Sequence, residues 1–171
     1  MIFLSRLKTQ PPAEGEGIRF AIYQGERPVG TPEALQDNLA RLEEIVREAK
    51  KYDVQLISFP ELYLEGYTLT PKLVQQLAEP VDGPSISRVA AIARAYHLSI
   101  ICPYAERDNR GREAQYYDAI AILDADGSLL LNYRKTHLFG AAERINYTCG
   151  YPEGTEDPFC VPWCPASLWA S

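Results

Sequence analysis

Apolar residues recur at Leu35, Leu39, Leu42, Val46 and Ala49, a spacing that puts one stripe along a helix. Thr31-Pro32-Glu33 supplies its start: an N-cap hydroxyl, a proline at the first helical position and an acid in the first turn. The pattern predicts a helix from there to about Tyr52, with Glu43 and Arg47 as an i,i+4 pair on a solvated face. Ile18–Gln24 alternates weakly and predicts a first strand. Val54–Phe59 is a short apolar run and predicts a second, buried one. Thr70-Pro71 opens a short helix ending near Glu79. Asp82-Gly83-Pro84-Ser85 turns into another helix, with Ile86, Val89, Ala90, Ala93 and Tyr96 on one side. Leu98–Tyr104, Tyr116–Leu123 and Leu129–Tyr133 read as strands, the last two joined through the turn Asp124-Ala125-Asp126-Gly127-Ser128. Strands alternating with helices, then a late hairpin, predict an α/β layered architecture.

Both ends depart from this pattern. Residues 1–17, with Pro11-Pro12, read as a flexible arm, so the ordered domain is expected over residues 18–146. Residues 147–171 form a divergent tail holding Pro152, Pro158, Pro162 and Pro165, three of the four Cys and both Trp. No sheet continues through that proline density. No repeat or low-complexity tract is present.

With 171 residues, 46% of them hydrophobic, the chain has apolar mass for one ordinary domain. A net charge of −6 argues against a nucleic-acid partner, which wants basic stripes. No apolar run is long enough to span a membrane. Met1–Leu4 is apolar but is followed by no h-region or cleavage site, so no signal peptide is expected. The Cys are then expected to be reduced, in a cytoplasm.

Chemistry enters at Leu56-Ile57-Ser58-Phe59-Pro60-Glu61. Pro60 stops a buried strand, and the next residue is an acid. A carboxylate just past the C-terminal end of a strand sits where open α/β sheets place their sites. Apolar surroundings would raise its pKa and suit it to proton transfer. The plainer alternative is a solvated loop acid. A second stretch, Tyr133-Arg134-Lys135-Thr136-His137-Leu138-Phe139-Gly140, also follows a strand. A lysine leaving a buried strand can face a developing oxyanion. Alone, Lys135 would read as a surface cation beside Arg134. His97 reads as a cation near a helix C-terminus, and Cys102 as a small buried hydrophobe.

Together these stretches resemble the nitrilase superfamily of carbon–nitrogen hydrolases. The resemblance rests on Phe59-Pro60-Glu61 with Gly66-Tyr67 five residues beyond, and on Arg134-Lys135-x-His137-Leu138 after the hairpin. It runs from Ile18 to about Asn146. It implies a four-layer αββα sandwich, incomplete here: the first half plus a divergent tail. It implies hydrolysis of a small linear amide or nitrile through a Cys-Glu-Lys mechanism, with no metal or organic cofactor, in a chain that forms homo-oligomers. Lys-x-His-Leu-Phe-Gly looks more like the amidase branches than the true nitrilases. By the resemblance, Glu61 is the general base and Lys135 the oxyanion stabiliser. Glu143, eight residues after Lys135, falls where many members carry a second acid. An ion pair with Arg144 is its alternative reading.

The resemblance also calls for a nucleophilic Cys on a tight turn after further strands, and none of the four Cys has that setting. Cys149 follows Lys135 too soon. Cys164, 29 residues past Lys135, is nearest to the family's separation, but Trp163 and Pro165 flank it and no strand leads to it. A zinc set of Cys149, Cys160, Cys164 and His137 lacks any Cys-x-x-Cys. The expectation is therefore a hydrolase relative without its nucleophile. The alternative is a truncated, inactive relative that serves only to bind or dimerise.

Overall fold

The computed structural model describes residues 17–25 and 27–150, together with Ala13 and Gly15. Nine elements follow in order: β1 (Phe20–Ile22), α1 (Pro32–Lys50), β2 (Leu56–Ser58), α2 (Pro71–Leu77), α3 (Pro84–Tyr96), β3 (Ser99–Asp108), β4 (Gln115–Leu123), β5 (Leu129–Arg134) and α4 (Gly140–Asn146). The strands form one sheet in sequence order, with β1, β2 and β3 parallel and β4 and β5 antiparallel additions. The α/β order read from the pattern is observed, and α4 is added to it.

The cap foreseen for α1 forms: Thr31 Oγ1 accepts from the Ala34 N–H at 3.0 Å. Its stripe of Leu35, Leu39, Leu42, Val46 and Ala49 is buried with Ile86, Val89, Ile92 and Ala93 of α3 and with Ile57, Ile100, Cys102, Tyr104, Ala119, Ala121 and Leu123 of the sheet. This is the main core, and it lies on one face. The opposite face presents Ser58, Ile101, Pro103, Ile120 and Tyr133. At its upper end a second, smaller core joins Leu62, Leu69, Val74, Ala78, Ala105 and Tyr147. The two cores leave the C-terminal end of β2 between them.

Several boundaries differ from expectation for physical reasons. The strand expected over Ile18–Gln24 is only Phe20–Ile22, because the Arg19 N–H already donates to the Gln55 side chain and its carbonyl accepts from the Gln55 and Leu56 N–H groups. The second strand narrows from Val54–Phe59 to Leu56–Ser58. The short helix stops at Leu77, two residues before Glu79, whose backbone instead pairs with β3. The third strand outruns its expected end at Tyr104 and reaches Asp108. Its charged end is held inside: Glu106, 3% exposed, accepts from Arg134 and from Asn132 Nδ2 at 3.0 Å, and Arg134 Nη2 also reaches Asp108 at 2.8 Å. His97, expected as a cation near a helix C-terminus, acts there through its backbone. It is the left-handed C-cap of α3, with φ of 46°, and its carbonyl accepts from Lys50 Nζ.

Candidate active site

β2 ends where the sequence says it must. Phe59 still donates its N–H to the Ile101 carbonyl at 3.1 Å, and Pro60 then ends the ladder. The chain enters a tight turn in which the Gly66 N–H reaches back to the Leu62 carbonyl at 2.8 Å. Leu62 has φ of 48° and Gly66 φ of 99°. A Cβ at position 66 would meet the Val29 side chain at 2.3 Å, so glycine is required there twice over. Leu62, Tyr63 and Leu64 are wholly buried. Asn38 Nδ2 donates to the Leu64 carbonyl at 2.9 Å, and Arg27 Nη2 donates to the Glu61 carbonyl at 2.8 Å. Apolar burial and backbone clamps thus fix the turn and leave the Glu61 side chain pointing out of it, half exposed.

Lys135 arrives from the opposite edge of the sheet. Its N–H donates to the Asp118 carbonyl at 2.8 Å, extending the β4–β5 ladder by one bond. The side chain therefore shares a sheet face with Tyr133, Ile120 and Asp118. Its Nζ contacts Glu61 Oε1, lies 3.3 Å from Asp118 Oδ2, and reaches Glu143 Oε1 and Oε2 at 3.0 and 2.9 Å. Oxygens of the three acids lie within 4.8 Å of one another. The cation they share is the lysine ammonium.

Glu143 comes from α4. It is 3% exposed, accepts the Phe139 N–H at 2.6 Å, and receives the Tyr67 hydroxyl at 2.6 Å. The surface ion pair with Arg144 is not how the acid is held. Burial would raise its pKa. The bonds from Tyr67, Phe139 and Lys135 outweigh that and hold it below the usual value. Burial would likewise lower the Lys135 pKa, and its bonds to Glu61 and Glu143, with the Asp118 charge, hold it above normal. Three carboxylates around one ammonium leave surplus negative charge, and Asp118 carries the consequence. Burial, with the adjoining Glu61 carboxyl, pushes it up to about 7.

A cavity of about 280 Å³ opens beside this cluster, lined by Ser58, Phe59, Glu61, Ile101, Pro103, Asp118, Ile120, Tyr133 and Lys135. The charged groups stand at one end of an otherwise apolar recess, where electrostatic contacts gain strength. Neither described thiol lines it. Cys102 is wholly buried among the helices on the other face, as expected of a small hydrophobe. Cys149 is exposed, with its Sγ directed at the Thr136 carbonyl, 2.6 Å away. Cys160 and Cys164 lie outside the described residues, as does most of the 1–17 arm and of the 147–171 tail.

The structure brings together three residues singled out from sequence: Glu61, Lys135 and Glu143. Sequence reasoning missed Asp118, and it read Tyr67 as part of the Gly66-Tyr67 motif without giving it a role. A signal for Asp118 was present, an acid inside the apolar run Tyr116–Leu123, alternating in phase with Ile120 and Ile122.

A strand-end acid, a facing lysine and a helix-borne second acid thus meet over one face of an α/β sheet. The family model described as carbon-nitrogen hydrolase matches residues 19–159. The chain belongs to that family. It is 41% identical over 134 residues to a Pseudomonas protegens protein described as "Hydrolase in pqqF 5'region", covering 78% of this chain and 44% of that one. It is 31% identical over 103 residues to the omega-amidase NIT2 of Mus musculus, covering 60% of this chain and 36% of that one. Its fold is similar to an acrylamide-bound double mutant of the amidase from Nesterenkonia sp. AN1, with a TM-score of 0.66 at 22% identity, covering 84% of this chain and 52% of that one. The chain thus spans less than half the length of these two curated relatives. The incomplete nitrilase-type fold expected from the sequence is the one observed: a single sheet whose helices α1 and α3 cover one face.

Proposed function

We propose that these residues form the proton-transfer and oxyanion half of a linear-amide hydrolase. The observation that carries the reading is the contact of Lys135 Nζ with Glu61, Asp118 and Glu143 at the head of the apolar cavity. In this reading Glu61 is the general base. Its carboxylate takes the proton of a thiol, and the thiolate attacks the amide carbon. Negative charge develops on the amide oxygen, where the Lys135 ammonium faces it. As the tetrahedral adduct collapses, Glu61 returns the proton to the departing amine or ammonia, leaving an acyl-thioester that water cleaves with Glu61 again as base. Glu143, tied by Tyr67 and the Phe139 N–H, keeps Lys135 aimed at the oxygen. Asp118 adds a third carboxylate beside the Lys135 ammonium.

The thiol in this scheme comes from outside the described residues. Cys164 is the candidate within this chain. The omega-amidase name of one relative supports an amide over a nitrile. That neither Cys102 nor Cys149 lines the cavity favours a second reading, a module that binds an amide without turning it over.

Both readings are tested by titrating the chain with short linear amides while following the Lys135 Nζ and Glu61 Cδ signals by NMR and assaying ammonia. Shifts at both residues are expected. Ammonia release that is lost in Cys164→Ser supports the hydrolase with an internal nucleophile, and shifts without release support the binding module. If neither signal moves, the site takes no amide.

A further inference from the structure

Glu65 lies on the same turn as Glu61, four residues on, and is 1% exposed. Nothing in the proposed chemistry uses it. Its Oε2 accepts the Ala105 N–H at 2.9 Å, and its Oε1 has no hydrogen-bond partner. Its own carbonyl accepts from the Gly30 N–H at 3.0 Å.

The backbone accounting along β3 says why an acid stands there. β3 runs seven residues past Ile101, the last position paired with β2. The edge it presents beyond that point needs partners. Pro103 comes next on that edge and has no N–H to satisfy. Two residues on, the Ala105 N–H does need an acceptor, and the Glu65 carboxyl stands in for the strand that has turned away. Glu79 then serves the rest of the edge, donating its N–H to the Ala105 carbonyl and accepting the Arg107 N–H at 2.9 Å. The side chain of Glu65 is thus the bond that joins the Glu61 turn to the middle of the sheet.

We propose that Glu65 is a positioning residue for Glu61: as a neutral acid it ties the turn to β3, and its ionisation releases that turn. The proposal rests on the reading of Glu61 as the base. The groups facing Glu65 oppose its ionisation on balance. Burial is the chief cause, partly offset by the Ala105 N–H, and it lifts the carboxyl to about 8. Glu79, after α2, adds negative charge. Among the described residues Arg27, before α1, is the cation that acts on it, and its Nη2 already serves the Glu61 and Leu62 carbonyls. Cys102 and Tyr104 face it from β3 and Tyr147 from beyond α4, and all three are neutral at pH 8, their own pKa values raised by burial. Ionisation therefore places a buried charge that, among the described residues, no ion pair answers.

The test is amide hydrogen exchange at Ala105 and Gly66, with the carboxyl signals of Glu61 and Glu65 followed by NMR, between pH 6 and pH 9.5. In the wild-type chain, protection at both amides, measured relative to Ile100, is expected to fall at least tenfold as pH rises from 6 to about 8 and to level off above that, because the carboxyl ionises at lower pH in the released turn than in the closed one, with an inflection in the Glu61 signal. Glu65→Gln keeps the acceptor oxygen without the charge and should abolish both changes. Glu65→Ala should show low protection at every pH. The proposal is overturned if Glu65→Gln keeps the alkaline loss. It is also overturned if the Glu65 signal of the wild-type chain titrates between pH 4 and pH 5, a readout that needs no variant. No amide enters any of these measurements, so a chain that hydrolyses nothing leaves them standing.

Discussion

Lys135→Met is expected to destabilise the chain by about 3 kcal/mol at pH 8 and by only about 1 kcal/mol at pH 5. Methionine keeps the unbranched stem and removes the ammonium, so packing is nearly preserved. What is lost is the cation shared by Glu61, Asp118 and Glu143, of which the last two are each 3% exposed. Without it the folded pKa of Glu143 rises from below its usual value to above it, and that of Asp118, already raised by burial, rises further. A carboxylate in that state binds more protons folded than unfolded, so stability falls as pH climbs through the interval between the two values. At pH 5 the acids take up protons and much of the penalty disappears. Urea denaturation at the two pH values measures the difference. A loss of equal size at both would show that the acids do not depend on Lys135.

Under the proposed hydrolase reading, Glu61→Gln is expected to lower amide turnover by roughly 10²–10⁴ while leaving amide binding nearly unchanged. Gln keeps the size and the hydrogen-bonding oxygen of the side chain. The turn beneath it is held through the Glu61 and Leu62 carbonyls and the buried Leu62, Tyr63 and Leu64, none of which the substitution alters. The change therefore removes proton transfer and the charge facing Lys135 and Asp118, and leaves the turn in place. Steady-state ammonia release, split into kcat and KM, reads the effect. An unchanged kcat would remove Glu61 from the role of base.

How far the sequence disclosed this site depended on which constraint was local. Pro60 after a short apolar run ends a strand by its own covalent chemistry, so the placement of Glu61 was legible without a partner. The helix stripe from Leu35 to Ala49 and the turn at Asp126-Gly127 were legible for the same reason. α4 was not. Gly140-Ala141-Ala142-Glu143-Arg144-Ile145-Asn146 has no capping side chain, and its one buried residue is the charged Glu143, while Ile145 is 68% exposed. A helix that buries its acid and shows its aliphatic inverts the pattern by which helices are recognised. Its inward side exists only because Lys135, Tyr67 and the Phe139 N–H come together there.

The same holds for the two acids that the sequence left without roles. Asp118 sits inside a strand, and period-2 alternation says that it shares a face with Ile120 without saying that Lys135 will face it across the ladder. Glu65 is visible as an acid in an apolar stretch, but its task is set by a shortfall elsewhere: the unpaired Ala105 N–H left when β2 turns away from β3. Long-range accounting of backbone partners cannot be done until the strand lengths are known. The extra length of β3 was itself hidden, because Ala105-Glu106-Arg107-Asp108 looks like a polar turn until Arg134 is seen to neutralise it.

The convergence of strand-end acid, lysine and in-strand acid on one cleft is tested most directly by the carboxyl titration of Asp118, followed by carbon NMR in the wild-type chain and in Glu61→Gln. An Asp118 inflection near pH 7 that drops when Glu61 loses its charge is the expected result. An Asp118 that titrates near pH 4 in both proteins would mean that the three groups do not meet.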